Sequence, residues 1–404
     1  MQIAGSPGSF VDKLPGLAAL FGTVHIARAL NLTAAVAKRS LFLFGPRQTG
    51  KSTLVRHQLA DARLINLLES DTHLTLQRTP QRLREWCTKR GELVVIDEIQ
   101  KLPQLLDEVQ LLIEERKQRF LLTGSNARKL RTGGVNLLGG RARSLTFHPL
   151  TSHELGDAFE LPRAIHHGLL PSIYLGDEPD LDLAAYVGTY LREEIAHEAL
   201  TRNIPAFARF LEVAALCNGE QINYSKIASD AQVARTTVQE YFQILRDTLL
   251  GWDVPAWQRT KRRKSVATAK FMFFDGGVVR HLRGTGRVRS PSPEFGHAFE
   301  GWVGHELKSW CDYRGKGAGL CYWRSRAGHE VDFVVGDEVA VEVKATANVT
   351  DRHLTGITAL QEEKLLKRHV VVCQETRRRV VSGIEIWPWR AFADELWSDH
   401  LVRG

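Results

Sequence analysis

The chain has 404 residues, which is enough for two or three domains, and its 43% hydrophobic and 25% charged residues exclude a largely disordered protein. No apolar run approaches the roughly 20 residues of a membrane-spanning helix. The five cysteines form no Cys-x-x-Cys pair, which excludes a disulfide framework and a cysteine zinc site. Because residues 1–10 also lack the basic opening of a secretory signal peptide, we expect a globular protein of the reducing cytoplasm with no membrane partner.

Three compositional blocks follow one another along the chain. Residues 1–150 alternate apolar strand-like runs with helical patterns, which is typical of a parallel α/β sheet. Residues 151–265 are mostly helical, and residues 266–404 combine a long helix with strands. We therefore predict an α/β protein of three domains, with a helical region between two sheet-containing ones.

A phosphate-binding loop follows the first predicted strand. The apolar run 41–44 leads into a segment that matches the pattern G-x-x-x-x-G-K-[ST] and opens a helix: Gly45, Pro46, Arg47, Gln48, Thr49, Gly50, Lys51, Ser52 and Thr53. The glycines let backbone N–H groups curl around a phosphate, and the helix N-terminus adds partial positive charge. Lys51 is expected to reach the β- and γ-phosphates of ATP, and Ser52 to offer its hydroxyl to Mg²⁺.

Acidic and polar residues end two further predicted strands. The apolar run 93–96 is followed by Asp97 and Glu98, and the run 120–123 leads to Ser125 and Asn126. Ligands bind at the carboxyl ends of strands in open parallel sheets. Asp97 is therefore predicted to hold the Mg²⁺ shell and Glu98 to orient or deprotonate the attacking water, while a polar side chain after the third strand senses the γ-phosphate.

These segments resemble the bacterial and archaeal AAA-family ATPases that carry a C-terminal domain of uncharacterised function. The resemblance covers nearly the whole chain and includes V-I-D-E-I-Q-K, L-L-T-G-S-N, G-R-A-R-S-L-T-F-H-P-L and, at Tyr190, Y-L-R-E-E-I. It implies that Asp97 and Glu98 act as the acidic pair and that Ser125 and Asn126 act as the sensor. It also implies a transition-state arginine, Arg141 or Arg143, acting in a neighbouring subunit, although pairing with local acids is an alternative. The number of subunits, from a monomer to a ring, stays open.

Residues 220–250 follow the pattern of a small DNA-binding domain. The last of its predicted helices begins at Arg235, carries its apolar residues on one face and leaves Arg235, Thr236 and Gln239 outward. In a helix-turn-helix, side chains at these positions meet base edges or phosphates. The resembling family has a winged helix here. A module for protein interaction or internal packing is the alternative.

The net charge of +8 is concentrated directly after this module. Residues 258–290 contain ten Lys or Arg and one acid, Asp275, so this segment alone carries +9. Concentrated basic charge is typical of a surface that binds a polyanion, and we predict a nucleic-acid partner, with DNA favoured. A solvated loop is the alternative.

The C-terminal block contains a set of residues typical of a nuclease. Glu300 lies on a predicted helix, Asp332 on a strand, and Glu342 and Lys344 on one face of the next strand. A three-residue connection would place Asp332 opposite Glu342. The three carboxylates are predicted to hold Mg²⁺ or Mn²⁺, and Lys344 to position or activate water for phosphodiester cleavage. This pattern resembles the restriction-endonuclease-like superfamily, and an ordinary ion pair on a sheet is the alternative.

His166 and His167 have no cysteine or paired acid at metal-ligand spacing, so we interpret them as surface-loop residues. The leading hypothesis is an ATP-hydrolysing protein that couples a nucleotide switch to nucleic-acid binding and to metal-dependent DNA cleavage. Two alternatives stay open. One is a regulatory ATPase whose C-terminal domain binds protein, and the other is an oligomeric ATPase that remodels protein. Stimulation of ATP hydrolysis by DNA separates the leading hypothesis from both.

Overall fold

The computed structural model describes residues 25–125, 138–194, 203–315 and 319–402. In these residues, two large β-sheets are separated in sequence by a helical region that includes a two-stranded hairpin. The first sheet has five strands, all parallel, and the second has six strands of mixed direction. The predicted α/β class, with a parallel sheet in the first block, is confirmed. Within the described ranges, no helix combines the length and the apolar character that crossing a bilayer requires.

The parallel sheet has the strand order β2-β3-β4-β1-β5. Its strands are β1 (Ser40–Phe44), β2 (Arg63–Asn66), β3 (Leu93–Asp97), β4 (Arg119–Gly124) and β5 (Ala142–Thr146). Its helices are α1 (Leu32–Lys38), α2 (Lys51–Gln58), α3 (Ser70–Arg78), α4 (Arg82–Trp86) and α5 (Leu105–Arg116), with 3-10 turns at Ile99–Lys101 and Leu138–Gly140. Strands β1, β3 and β4 are almost fully buried apolar runs, as expected for parallel strands that are covered on both faces.

The helical region begins directly after this sheet. Its elements are α6 (Ser152–Leu155), a 3-10 turn (Gly156–Ala158), α7 (Leu161–His167), α8 (Pro171–Tyr174), α9 (Pro179–Ala185), a π-helical stretch (Tyr186–Glu194), α10 (Ile204–Leu216), α11 (Tyr224–Ala231) and α12 (Arg235–Asp247). Helix α12 buries Val238, Phe242 and Leu245 against the aromatic side chains of α10, and its N-terminal polar residues stay exposed.

An antiparallel hairpin continues this region beyond the predicted boundary at 265/266. It pairs β6 (Gly251–Val254) with β7 (Lys270–Phe273), and α13 (Gly276–Leu282) follows. Phe271 of β7 packs edge-on against Phe242 of α12, so the hairpin shares the core of the helices. The predicted boundary therefore falls inside one packed unit.

The second sheet has the order β12-β13-β11-β10-β9-β8. Its strands are β8 (Leu320–Arg324), β9 (Glu330–Val335), β10 (Val339–Lys344), β11 (Arg368–Cys373), β12 (Arg379–Val381) and β13 (Ile384–Pro388). Its helices are α14 (Pro293–Arg314), α15 (Asp351–Gln361) and α16 (Trp389–Trp397). Helices α14 and α16 pack on one face and α15 on the other, which gives the sheet two apolar layers.

Candidate functional site

The phosphate-binding loop lies between β1 and α2, at the carboxyl edge of the parallel sheet. Gly50 has a φ of 91°, in the left-handed region that favours glycine. A Cβ atom on Gly45 would lie 2.4 Å from the backbone oxygen of Phe147. Both glycines of the motif are therefore required by the path of the backbone.

The side chain of Lys51 is buried within this loop. Its Nζ donates hydrogen bonds to the carbonyl oxygens of Gly45, at 2.7 Å, and Pro46, at 2.8 Å. Burial lowers the pKa of Lys51 to about 8, while Glu98 and Asp97 pull it in the opposite direction. The ammonium group thus lies where the phosphate oxygens of a nucleotide would replace two loop carbonyls.

Asp97 accepts hydrogen bonds from two hydroxyl groups at the same edge of the sheet. Ser52 Oγ, in the first turn of α2, donates to Asp97 Oδ2 at 3.4 Å, and the Thr123 hydroxyl at the end of β4 donates to Oδ1. Carboxylate and hydroxyl oxygens are the hard donors that Mg²⁺ prefers. Ser52 and Asp97 therefore fit the predicted magnesium shell.

Glu98 is joined to Ser125 through a residue that the sequence analysis missed. Gln100 is buried, and its Nε2 donates to the Glu98 carboxylate and, at 3.3 Å, to Ser125 Oγ. Burial raises the pKa of Glu98, and the hydrogen bond from Gln100 lowers it. A Cβ atom on Gly124 would lie 2.1 Å from Gln100 Oε1. The sequence signal that could have identified Gln100 was an uncharged polar residue two positions after Glu98. The other predicted sensor residue, Asn126, lies outside the described residues.

The helical region contacts the phosphate-binding loop directly. Ser172 Oγ, in α8, donates to Gln48 Oε1 at 2.9 Å. Tyr186 Oη, in the π-helical stretch, donates to the carbonyl oxygen of Arg47 at 3.4 Å. Before β1, Arg28 donates to the carbonyl oxygen of Thr49 at 2.7 Å. The loop is therefore held from both sides by segments that flank the sheet in sequence.

Arg141 and Arg143 lie far from this chain's own phosphate-binding loop. They flank the start of β5, which runs parallel to β1, and the loop leaves the opposite end of β1. At about 3.3 Å per residue, the four steps along the strand separate Arg141 from the loop by roughly 13 Å. Arg141 instead pairs with Glu114 at 2.7 Å on the surface. This pairing matches the alternative of an ion pair with a local acid, and the role in a neighbouring subunit stays a prediction.

The C-terminal residues of the predicted nuclease set lie together at one end of the second sheet. Three residues connect β9 to β10, and the paired register ends with Val341 opposite Phe333, next to Glu342 and Asp332. Asp332 Oδ2 accepts the backbone N–H of Val343 at 2.7 Å, and Lys344 Nζ lies 2.5 Å from Glu342 Oε1. Glu342 is 4% exposed, and its Oε2 is buried without a hydrogen-bond partner in the structure. Burial and the nearby Asp332 carboxylate raise the pKa of Glu342 well above its ordinary value.

Lys270 enters this cluster from the neighbouring unit. Although the sequence analysis counted it among surface charges, it is 4% exposed, and its Nζ lies 2.5 Å from Glu330 Oε1 and 3.4 Å from Glu300 Oε1. Burial and the Asp332 carboxylate raise the pKa of Glu300 to about 8, while Lys270 pulls it down. The pKa of Lys270 is raised because the surrounding carboxylates outweigh the effect of burial. A single basic residue directly before the apolar run 271–274 was the sequence signal that Lys270 is buried.

Metal-ligand geometry is found elsewhere in the described part of the chain. The ligand atoms of Glu300, Asp332 and Glu342 do not all lie within 4.8 Å of one another, whereas those of His166, His167 and Asp180 do. The two histidines end helix α7 and are half-buried, so their interpretation as loop residues without an acidic neighbour was wrong. Arg280 already pairs with the Asp180 oxygen at 2.6 Å, so this group forms a polar network around a guanidinium.

At least five of the ten basic side chains in residues 258–290 bind other parts of the chain. Their partners are carboxylates or a backbone carbonyl: Arg259 with Asp337, Arg263 with Glu362, Lys270 with Glu330, Arg280 with Asp180, and Arg283 with the Leu216 oxygen. Glu363 also accepts hydrogen bonds from three backbone N–H groups of residues 261–263. The connection between β6 and β7 is thus anchored to the β9–β10 turn and to the residues that follow α15. These contacts engage part of the basic charge, and the nucleic-acid partner stays a prediction.

Three family matches divide the chain. Residues 37–156 match the family described as an AAA domain, residues 158–289 match the domain of unknown function DUF8612, and residues 295–392 match the domain of unknown function DUF4143. Uncharacterised proteins of Mycobacterium bovis and Mycobacterium tuberculosis are each 24% identical over 332 residues, which are 80% of this chain and 73% of theirs. One from Haemophilus influenzae is 24% identical over 208 residues, 47% of this chain and 52% of its own.

Two solved structures show lower similarity. A signal transduction ATPase with numerous domains and a tetratricopeptide repeat sensor, from Pyrococcus horikoshii, has a TM-score of 0.24 at 14% identity. The match covers 71% of this chain and 46% of that one, so this chain spans less than half of its length. A protein from Vibrio cholerae has a TM-score of 0.18 at 12% identity, over 89% of this chain and 96% of that one. These scores add nothing to the assignment, which rests on the domain match.

The domain match and the geometry agree on the first block. The matched residues contain the phosphate-binding loop, the acidic end of β3 and the polar end of β4, all at one edge of the parallel sheet. Residues 37–156, which match the AAA domain family, thus have the parallel sheet and the phosphate-binding loop of a P-loop domain.

Proposed function

We propose that this chain binds and hydrolyses ATP with Mg²⁺, and that it transmits its nucleotide state to a nucleic-acid-binding C-terminal half. The observation that carries the ATPase part is the grouping of Lys51, Ser52, Asp97 and Glu98 at one edge of the parallel sheet. Mg²⁺, when bound, would neutralise phosphate charge.

Each residue of this group has a separate task. Lys51 exchanges its two loop carbonyls for phosphate oxygens, which are stronger acceptors for an ammonium group. Ser52 and Asp97 would hold the metal. Glu98 accepts a proton from the attacking water or orients it, and the buried environment that raises its pKa also makes it a stronger base.

ATP binding and hydrolysis are tested with two variants and a control. Lys51→Ala is expected to abolish the thermal stabilisation that ATP and Mg²⁺ give the wild type. Glu98→Gln is expected to keep that stabilisation and to lower turnover by about a hundredfold or more. Arg56→Ala, an exposed change in the same helix, is the control. Wild-type turnover by Glu98→Gln would contradict the assignment.

The nucleic-acid part rests on the order of elements in the helical region. Three helices, α10 to α12, followed by the β6–β7 hairpin, are the order of a winged helix, and Arg235, Thr236 and Gln239 are exposed at the start of its last helix. Because much of the basic segment is anchored internally, the contact with DNA would come from this helix and not from the connection between the strands.

DNA binding is tested by fluorescence anisotropy with a short duplex at several salt concentrations. Arg235→Ala is expected to weaken binding several-fold and to reduce the salt slope by about one. Arg352→Ala, an exposed arginine on α15, is the control. Equal binding by both variants, or no DNA binding by the wild type, would favour the regulatory ATPase whose C-terminal domain binds protein.

Metal-dependent cleavage is the second candidate activity, and the unpartnered Glu342 Oε2 beside Lys344 and Asp332 favours it. Glu300, Asp332 and Glu342 would hold Mg²⁺ or Mn²⁺, which would polarise the phosphodiester. Plasmid DNA is incubated with each metal, with and without ATP, and wild type is compared with Lys344→Ala. Cleavage that the variant lacks supports the candidate. No cleavage by a folded wild type that hydrolyses ATP would remove it.

A further inference from the structure

Lys270 belongs to one structural unit and binds the acids of another. It opens strand β7, where it lies opposite Val254 of β6 and forms a β-bridge with Gln221. Its ammonium group contacts Glu330 of β9 at 2.5 Å and Glu300 of α14 at 3.4 Å. The Lys270 side chain thus joins two groups of residues, which are called here the winged-helix-like unit (α10 to α12 with the β6–β7 hairpin) and the carboxylate cluster (Glu300, Glu330, Asp332 and Glu342).

The cluster contains more acids than cations. Its carboxylates belong to Glu300, Glu330, Asp332 and Glu342, and its cations belong to Lys270, Lys344 and Arg324, which pairs with Glu330 at 3.0 Å. Gathering like charges in a half-buried site is unfavourable unless cations balance them. Lys270 therefore supplies charge that a divalent cation would otherwise supply.

The arrangement of the carboxylate oxygens agrees with an ammonium group in place of a divalent cation. A divalent cation draws its ligands to about 2.0–2.6 Å from one centre, whereas an ammonium group accepts longer and looser contacts. The oxygens of Glu300, Asp332 and Glu342 are not gathered within 4.8 Å, and Glu342 Oε2 lacks a partner in the structure. Of these donors, Glu300 is held by the ammonium group of Lys270 and Glu342 by that of Lys344.

We propose that Lys270 is a latch on the carboxylate cluster, and that Mg²⁺ or Mn²⁺ enters only when β7 withdraws its ammonium group. This inference rests on the proposed metal-dependent role of the cluster and names its regulation. Because Lys270 lies in β7 of the winged-helix-like unit, a movement of that unit would withdraw the ammonium group, and the metal site would then fill.

The latch is tested by Mn²⁺ binding rather than by cleavage. Isothermal titration of the full chain without nucleotide compares wild type with Lys270→Met. The variant is expected to bind Mn²⁺ about tenfold more tightly or better, because a unit charge is removed next to the ligands. Lys261→Met, an exposed lysine in the same connection, is the control and is expected to match wild type. Adding Glu342→Gln to Lys270→Met is expected to remove the gain, which assigns it to the cluster.

A second variant covers the case in which Lys270→Met fails to fold. Glu330→Gln keeps the lysine but weakens its 2.5 Å contact, and it is expected to raise Mn²⁺ affinity by a smaller factor. Folding of each variant is checked by circular dichroism and ATP turnover. Folded variants that bind Mn²⁺ no better than wild type overturn the latch. Tighter Mn²⁺ binding without DNA cleavage keeps the latch and rejects only the nuclease activity.

Discussion

At the scale of single residues, Gln100 contributes to the electrostatic environment of Glu98, the predicted general base. Its amide donates to Glu98 and to Ser125, and Glu98 itself has a φ of 62°. The hydrogen bond lowers the pKa of a carboxyl group that burial raises. Gln100 thus lies between Glu98, the proposed water-activating residue, and Ser125, the predicted sensor residue.

The first prediction concerns the pH profile of ATP turnover. In Gln100→Leu the hydrogen bond is lost, so the pKa of Glu98 is expected to rise further. Because Glu98 must be ionised to accept a proton, the acidic limb of kcat should move to higher pH. Gly124→Ala, which drives a Cβ against Gln100 Oε1, should move it in the same direction. Gln104→Leu, an exposed glutamine nearby, is the control, and an unmoved limb in both variants would refute the role.

The sequence revealed the ATP site more fully than the C-terminal one, for a physical reason. Gly45, Gly50, Lys51 and Asp97 lie in local patterns whose strand–loop–helix context determines where they point. Lys270 lies in no such pattern, because its role depends on contacts with Glu300 and Glu330, which are 30 and 60 positions away along the chain. A charge count over neighbouring residues cannot distinguish a surface lysine from one buried among acids.

At the scale of elements, helix α14 connects the ATPase domain to the second sheet. Its first half carries Glu300 of the carboxylate cluster. Further along, Glu306 accepts hydrogen bonds from the Ser152 N–H and the Trp397 indole, each at 2.7 Å. Asp312 pairs with His148 at 2.7 Å, just after β5. The sequence pattern predicted the helix. It did not predict the contacts with Ser152 and His148, because each is a single polar residue in a loop or at a helix end.

A histidine on this helix makes stability depend on pH. His305 is buried, and its Nε2–H donates to the Leu150 carbonyl at 2.9 Å. Burial, aided by His148 and Arg28, lowers its pKa to about 3. The unfolded chain therefore binds one more proton between pH 3 and 6.5, and stability should fall as pH decreases through that window.

This second prediction is measured by urea unfolding at several pH values. His305→Gln keeps an N–H donor for Leu150 but cannot be protonated. Its stability should fall less steeply than that of wild type between pH 6.5 and 3, by up to about 1.4 kcal/mol per pH unit. His400→Gln, at an exposed position, should follow wild type. Parallel curves for wild type and His305→Gln would contradict a neutral buried histidine.

At the scale of the whole molecule, three units meet around the phosphate-binding loop. A cavity of about 230 Å³ is lined by Pro46 of the loop, His148 after β5, Arg246 of α12 and Lys308 of α14. The phosphate-binding loop, helix α12 and the helix that carries Glu300 thus line one cavity. The family resemblance predicted the order of these units along the chain, but it did not predict that they meet at the phosphate-binding loop.

The third prediction follows from the contacts of the loop with the helical region. Ser172 and Tyr186 hold Gln48 and Arg47, so replacing the loop carbonyls of Lys51 by phosphate should shift these contacts. If they transmit the nucleotide state, a non-hydrolysable ATP analogue should change the affinity for DNA. By linkage, DNA should change the affinity for the analogue by the same factor.

Ser172→Ala with Tyr186→Phe removes the two hydroxyl contacts and leaves the phosphate-binding residues in place. The double variant should bind the analogue and DNA separately, while the factor that couples them falls toward one. Tyr224→Phe, in α11, is the control for loss of a tyrosine hydroxyl in the same region. Anisotropy titrations with and without the analogue measure the factor. Undiminished coupling in the double variant would contradict transmission through Ser172 and Tyr186. The contact between His148, after β5, and Asp312 of α14 would then be the next candidate, because it also joins the end of the parallel sheet to a helix of the second sheet.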